Sequence, residues 1–96
     1  VHIDVEVKLG RCVLLNKLCS IGHDTDIGDY VTTAPGVNLG GNCQVGDGVE
    51  LGINSSTIQG LSVGRWSMVA AGAVVINDVL PERLVMGVPA KEKGRL

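Results

Sequence analysis

The sequence is short of aromatic residues: its 96 residues contain one tyrosine, one tryptophan and no phenylalanine. An ordinary globular core of this size would fill its volume with bulky rings. A narrow core of thin, repeated layers needs none, and the apolar residues here are mostly valine, isoleucine and leucine, interspersed with 14 glycines. The composition therefore favours a repetitive all-β architecture, and the length allows one domain at most.

Other absences limit the possible partners and compartment. The three cysteines, Cys12, Cys19 and Cys43, are odd in number and lack CxxC spacing, which argues against a disulfide framework and for a reducing, cytoplasmic location. The net charge of −2 gives no electrostatic case for nucleic acid. No apolar run approaches the roughly 20 residues that span a bilayer, so no membrane partner is expected.

A six-residue period runs through most of the chain. Eleven of the thirteen residues at this spacing are aliphatic, and the register never slips over Ile3, Leu9, Leu15, Ile21, Ile27, Thr33, Leu39, Val45, Leu51, Thr57, Val63, Val69 and Val75. A period of six fits neither a helix nor a simple alternating strand. It is typical of a parallel β-helix with three hexads in each coil. Glycine often follows the apolar residue, and we expect it to relieve strain where the backbone bends.

Residues 3–80 are therefore predicted to form a parallel β-helix of about four coils, stacked at roughly 4.8 Å. Residues eighteen apart become vertical neighbours, so the three ladders should be headed by Ile3, Leu9 and Leu15. Pro81 breaks the strand pattern. Residues 81–96 are predicted to form a loop, a short apolar return and a polar tail.

His23, followed directly by Asp24, is the main candidate for chemistry. Such a pair can be a catalytic base with its orienting carboxylate, or two polar residues on a surface turn. The residue eighteen positions after His23 is Gly41, whose missing side chain would open a notch beside the imidazole and expose backbone N–H groups to a developing oxyanion. The convergence of a base, a gap and a donor favours the catalytic interpretation. His2 precedes the first complete hexad and is interpreted as structural.

Four segments carry a resemblance to a known family: IGHD at 21–24, LGINSS at 51–56, AAGAVV at 70–75 and GVPAK at 87–91. Together they resemble the sialic acid O-acetyltransferases and bacterial sugar-nucleotide N-acetyltransferases, which are hexapeptide-repeat acyltransferases, over about residues 3–91. The resemblance implies a left-handed parallel β-helix, a handedness contrary to the usual crossover rule, and a homotrimer. It also implies that the N-terminal α/β domain usual in the family is absent from this chain.

The same resemblance implies a reaction and a set of site residues. Acetyl-CoA would be the co-substrate and a sugar or sugar nucleotide the acceptor, O- or N-acetylated by direct attack without a metal. His23 would be the general base, Asp24 its orienting carboxylate and Gly41 the amide near the thioester carbonyl. The cofactor contacts would be Gly41, Ile53, Ala71, Gly72, Gly87 and Lys91, and the acceptor contacts Asn16 and Thr32. Thr32 stands where one well-studied type of relative has a second histidine.

Several alternatives stay open. The chain could be a non-catalytic trimeric scaffold or an inactive fragment of a larger acetyltransferase, which predicts a blocked notch at Gly41 or no CoA binding. A zinc-dependent β-helix carbonic anhydrase needs three histidines, and the chain has two. Asn16 is equally well explained as a corner residue. Cys19 and Cys43 are interpreted as packing residues, and Trp66 as packing at a subunit boundary or against the C-terminal return.

Overall fold

A computed structural model describes residues 1–96 and shows a triangular prism of stacked strands, 32 × 22 × 22 Å in extent. Each short strand starts one residue before a repeating apolar position, and through the body of the prism that apolar residue points inward. The strands are β1 His2–Ile3, β2 Lys8–Leu9, β3 Leu14–Leu15, β4 Ser20–Ile21, β5 Asp26–Ile27, β6 Thr32–Thr33, β7 Asn38–Leu39, β8 Gln44–Val45, β9 Glu50–Leu51, β10 Ser56–Thr57, β11 Ser62–Val63, β12 Met68–Val69 and β13 Val74–Val75. The fold contains no helix, and so none that could cross a membrane.

Strands three apart in the chain pair in parallel and form the three faces of the prism. Sheet A has the order β1-β4-β7-β10-β13, sheet B joins β2, β5, β8 and β11, and sheet C contains β3, β6, β9 and β12. The register pairs residues eighteen apart, such as Ile21 with Leu39 and Ile27 with Val45. The predicted ladders are therefore confirmed.

The corners between the sheets are named here after the sheets they join. The A/B edge comprises residues 4–7, 22–25, 40–43 and 58–61; the B/C edge comprises 10–13, 28–31, 46–49 and 64–67; the C/A edge comprises 16–19, 34–37, 52–55 and 70–73. The last residue of each group points inward and completes the core, as Val31, Val37 and Val49 do. Cys19 and Cys43 are buried in this way, Cys12 is exposed, and all three thiols are free.

The first coil is covered on one side only. Ile3 is 45% exposed and Leu9 46%, whereas their ladder neighbours Ile21 and Ile27 are 0% and 3% exposed. An inward-facing side chain is buried in this fold where the chain packs on both sides of it, as at Val75, which lies in the last strand of sheet A and is 1% exposed. Apolar burial is therefore concentrated in the coils that carry the candidate site.

The explanation predicted for the repeated glycines is wrong. The left-handed backbone conformation occurs two residues after these glycines, at every sixth residue from Glu6 to Gly72, with φ between 55° and 78°. The glycines that follow the apolar residue are needed for close stacking instead. A Cβ on Gly22 would lie 2.5 Å from the carbonyl carbon of Gly40 and from the nitrogen of Gly41 in the next coil.

The prediction of a loop and a polar tail for residues 81–96 is also wrong. Strand β14, Arg83–Met86, extends sheet C by pairing in parallel with β12, and β15, Lys91–Arg95, pairs antiparallel with β14. The predicted apolar return corresponds to β14. The charged segment predicted to be a tail forms β15. Sheet C would otherwise end in unpaired backbone groups at β12, and β14 satisfies them. With this hairpin the prism reaches about five layers.

Candidate active site

His23 and Asp24 lie at the A/B edge, in the corner between β4 and β5. His23 Nδ1 is 3.0 Å from Oδ2 of Asp24, and both side chains are about half exposed. Asp24 occupies the left-handed corner position, with φ 55°, a conformation that aspartate tolerates better than most residues. Because the carboxylate engages Nδ1, that nitrogen carries the proton in the neutral ring and Nε2 is free to act as a base.

Gly41 lies directly beside the imidazole in the next coil. A Cβ built on Gly41 would be 2.5 Å from Nε2 of His23 and 2.8 Å from Cε1, so any other residue would displace the ring. The predicted juxtaposition of His23 and Gly41 is therefore confirmed. Gly41 is itself buried, and the group that covers its Cα is the imidazole.

The Gly41 amide has no hydrogen-bond acceptor within the chain, although its carbonyl accepts a bond of 2.9 Å from the Gly60 N–H. At two corners of the B/C edge an aspartate of the next coil supplies the acceptor for the corresponding amide: the Arg11 N–H donates to Asp29 Oδ1 and the Asp29 N–H to Asp47 Oδ1, both at 2.7 Å. The residue above Gly41 is Gln59, which makes no such bond. A free N–H on the residue beside the imidazole is the kind of donor that an oxyanion site uses.

The two residues predicted to contact the acceptor lie elsewhere. Asn16 is on the C/A edge, where its Oδ1 accepts a bond of 2.8 Å from the Lys17 N–H and so caps its own turn. This bond favours the corner-residue interpretation of Asn16. Thr32 lies on β6, on the outer face of sheet C. Neither residue shares an edge with His23 in the single subunit.

Apart from Gly41, the residues predicted to bind the cofactor lie along the C/A edge or beside it. The Gly72 N–H donates to the Ile53 carbonyl at 2.8 Å, which aligns these two corners. The Val74 N–H donates to the Gly87 carbonyl at 3.0 Å, which holds the turn between β14 and β15 against the same side of the prism. Lys91 begins β15 and is exposed. The structure therefore brings the predicted cofactor residues together, but on a different edge from His23.

A groove of about 340 Å³ crosses the outer face of sheet C. It joins Thr32 to Ala71 and is lined by Thr32, Thr33, Ala34, Glu50, Leu51, Gly52, Met68, Val69, Ala70 and Ala71. Sequence reasoning missed Glu50, which is paired in register with Thr32 and Met68. The signal was available: Glu50 precedes a hexad residue, so its side chain points out of the prism. No cluster of three or more histidine, cysteine, aspartate or glutamate side chains is placed to hold a metal ion.

Comparison with known proteins identifies relatives over nearly the whole chain, although no protein-family profile matches it. Serine acetyltransferase 4 of Arabidopsis thaliana is 34% identical over 104 residues, covering 98% of this chain and 29% of that protein. A mutant of perosamine N-acetyltransferase from Caulobacter crescentus, solved with CoA and GDP-perosamine, superposes with a TM-score of 0.94 at 32% identity, covering 96% of this chain and 44% of that one.

A third similarity is to the acetyltransferase domain of PglB from Neisseria gonorrhoeae FA1090, solved with acetyl coenzyme A. It superposes with a TM-score of 0.85 at 26% identity, covering 95% of this chain and 47% of that one.

These similarities confirm the left-handed parallel β-helix. The chain spans less than half the length of each of these relatives. They include serine acetyltransferases as well as an amino-sugar acetyltransferase, so the narrower assignment to the sialic acid and sugar-nucleotide enzymes stays a prediction. The chain belongs to the hexapeptide-repeat acyltransferase family.

Proposed function

We propose that this chain is the catalytic β-helix of an acetyl-CoA-dependent acetyltransferase that acts on a hydroxyl or amine of a sugar or sugar nucleotide. The observation that carries the proposal is the arrangement at the A/B edge. An imidazole oriented by a carboxylate through Nδ1 presents Nε2 beside a backbone N–H that has no acceptor. These are the groups that direct acyl transfer requires. The three free thiols fit a reducing compartment such as the cytoplasm.

The proposed reaction is a direct attack on the thioester. His23 Nε2 removes the proton from the acceptor hydroxyl or amine while the acceptor oxygen or nitrogen bonds to the acetyl carbonyl carbon. Asp24 stabilises the resulting imidazolium, and the Gly41 N–H donates to the oxyanion. Collapse of the tetrahedral species breaks the carbon–sulfur bond. The imidazolium then returns its proton to the leaving sulfur, which gives the acetylated acceptor and CoA thiol.

The C/A edge is proposed to hold the CoA arm. Ala71 and Gly72 leave the backbone accessible, Ile53 is 46% exposed, and Lys91 offers a point charge to a phosphate. Because this edge lies at a different corner of the prism from His23, one subunit does not complete the site. We therefore propose a threefold homotrimer in which the A/B edge of one subunit faces the C/A edge of its neighbour.

The test is turnover of acetyl-CoA, followed as free CoA thiol, with amino sugars, sugar nucleotides and L-serine as acceptors. His23→Ala should lower kcat by about 100-fold or more, because general-base catalysis typically contributes that much. The Kd for CoA, measured by calorimetry, should stay within about twofold. His2→Ala is the matched control and should behave as wild type. Unchanged turnover in His23→Ala would remove the assigned base.

Serine is the second candidate acceptor, because a serine acetyltransferase is 34% identical to the chain. Release of CoA thiol with L-serine alone would select it over a sugar. Absence of CoA binding by calorimetry would instead favour the non-catalytic scaffold.

A further inference from the structure

Tyr30 and Trp66 are the only residues of the Phe, Tyr and Trp types. They lie on the same edge of the prism although they are far apart in the sequence. Both occupy the left-handed corner position of the B/C edge, with φ 61° and 58°, two coils apart. Tyr30 is 50% exposed and Trp66 53% exposed. A single exposed ring needs no explanation. The placement of every aromatic residue on one edge indicates a surface that uses them.

Gly48 lies between these two residues and makes room for the indole. The six-membered ring of Trp66 packs against the Gly48 Cα, in space that any Cβ would occupy. Trp66 takes the left-handed conformation that the repeat imposes on this corner position, as Leu18 does on another edge. Elsewhere in the repeat, glycine fills this position at Gly36, Gly60 and Gly72. We call Tyr30, Gly48 and Trp66 the aromatic edge.

The aromatic edge borders the groove on sheet C. Tyr30 precedes Thr32 by two residues and Trp66 precedes Met68 by two, and Thr32 and Met68 are on the groove floor. Ala70 and Ala71 form the opposite wall. The outer face of sheet C therefore runs between two aromatic rings on one side and the proposed CoA edge on the other.

Glu50 lies at the centre of that floor, between Thr32 and Met68. Its side chain is exposed and takes part neither in the three ion pairs Arg11–Asp29, Arg83–Glu92 and Arg95–Glu82 nor in the contact between His23 and Asp24. An unpaired carboxylate in a mostly apolar groove complements a ligand with an ammonium group or several hydroxyls. The rings of Tyr30 and Trp66, together with the Glu50 carboxylate, complement an amino sugar that is attached to a nucleotide.

We infer that the outer face of sheet C binds a sugar-nucleotide acceptor, with a ring of the acceptor stacked on the aromatic edge and Glu50 accepting hydrogen bonds from its ammonium or hydroxyl groups. This inference rests on the proposed function and deepens it by naming the acceptor class. L-Serine has no ring and would leave Tyr30 and Trp66 unused.

Binding can be tested without turnover, because Trp66 is the only tryptophan. Its fluorescence is titrated with GDP-perosamine and, separately, with L-serine, each with and without CoA. We expect a saturable change with GDP-perosamine and none with L-serine. No saturable change with GDP-perosamine, or an equal change with L-serine, overturns the inference.

Kinetics supply an independent test with a matched pair of variants. Trp66→Gly removes the ring and places glycine where the backbone favours it, so it should fold. Cys12→Gly is the control: Cys12 is exposed with φ 56°, occupies the same corner position one coil below Tyr30, and does not line the groove. We expect Trp66→Gly to raise the KM for GDP-perosamine about tenfold, a typical stacking contribution. The KM for acetyl-CoA should stay within about twofold, and Cys12→Gly should match wild type.

The outcomes separate the two proposals. Turnover of GDP-perosamine with an unchanged KM in Trp66→Gly overturns the acceptor surface and leaves acetyl transfer intact. Turnover of L-serine alone does the same. Failure of the wild-type protein to bind CoA or to acetylate any acceptor contradicts the proposed function, whereas the Trp66 titration still reports on the surface.

Discussion

Gly41 has no room for a side chain beside the imidazole of His23. Gly41→Ala places a methyl group 2.5 Å from the position of Nε2 of His23, so the imidazole must move. We expect kcat to fall between about tenfold and 100-fold, since small displacements of a catalytic group have effects of this size. The fold should be retained, because Gly41 does not have a positive φ. Steady-state kinetics and circular dichroism measure the two effects.

Gly94→Ala is the control for this substitution, because a Cβ at Gly94 meets no atom within 4 Å. A Gly41→Ala variant with the kcat of wild type would show that the ring position over Gly41 is not required for turnover.

Two buried serines differ in whether the hydroxyl has a partner. Ser55 Oγ has none, whereas Ser67 Oγ donates to the Leu80 carbonyl at 2.7 Å and accepts from the Arg83 N–H at 3.0 Å. Ser55→Ala should therefore leave the free energy of unfolding unchanged or raise it by up to about 1 kcal/mol, and Ser67→Ala should lower it by about 1–3 kcal/mol. Urea denaturation of both variants gives the comparison. The reverse order would contradict this account of the two hydroxyls.

At the residue scale, the stacking of His23 on Gly41 could be predicted because it needs only the period of the repeat. An accessible Gly41 amide could also be predicted from the missing side chain, but the absence of a capping acceptor could not. That absence depends on Gln59 making no bond where Asp29 and Asp47 cap the corresponding amides on the B/C edge. Side-chain conformation, which the period does not specify, decides that difference.

The B/C edge carries a ladder in which side chains of one coil cap the backbone of the coil before it. The hydrogen bond from the Arg11 N–H holds the pKa of the Asp29 carboxyl below its ordinary value of 3.8. The Arg11 guanidinium, 3.4 Å away, adds to this effect, and partial desolvation opposes it. A lowered pKa in the folded state means that the ionised carboxylate stabilises the fold. That contribution is present above the ordinary pKa and is lost as the pH falls through the folded value.

The expected result is that Asp29→Asn makes stability less sensitive to acid. The amide keeps an acceptor oxygen for the Arg11 N–H but has no proton to gain, so the drop in Tm between about pH 5 and about pH 3 should be smaller than in wild type. Thermal denaturation at both values measures it. Asp26→Asn is the control, because Asp26 forms no side-chain bond to a neighbouring coil. An acid-induced drop as large in Asp29→Asn as in wild type would argue against this role for the carboxylate.

At the element scale, the thirteen repeat strands could be predicted and the terminal hairpin could not. The repeat strands follow from an apolar residue at a fixed spacing, which leaves one consistent register. Strands β14 and β15 lie outside that spacing, and β15 is mostly charged, so its sequence is that of a solvated tail. It is ordered because β14 occupies the open end of sheet C and because Arg83 and Glu92 form an ion pair of 2.6 Å across the hairpin.

For the whole molecule, the separation of His23 from the C/A edge predicts that activity belongs to the assembly. His23→Ala should be inactive, and Ala71→Trp should be inactive because the indole blocks the proposed CoA path. Mixing the two variants under conditions that exchange subunits should restore part of the activity, because some interfaces then combine an intact A/B edge with an intact C/A edge. CoA thiol release measures the recovery, and sedimentation should give about three times the 10.0 kDa chain mass.

His23→Ala mixed with His23→Ala, Ala71→Trp is the matched control and should stay inactive, since no intact A/B edge is present. A monomeric wild-type protein with full turnover would contradict the shared site. The shared site could not be deduced from the repeat alone, because the period fixes neighbours along the prism but leaves open which edges of two prisms meet.

The stacking of identical turns makes the length of this protein change in steps. Duplicating one eighteen-residue turn would add a layer about 4.8 Å thick and leave the strands on both sides of the junction in phase. Inserting a single residue would instead rotate every later core side chain out of the interior. Such a duplication also keeps the candidate site, because whichever eighteen residues are copied, one His23 still lies eighteen residues before a Gly41. Growth by duplication is therefore compatible with the proposed chemistry at every turn.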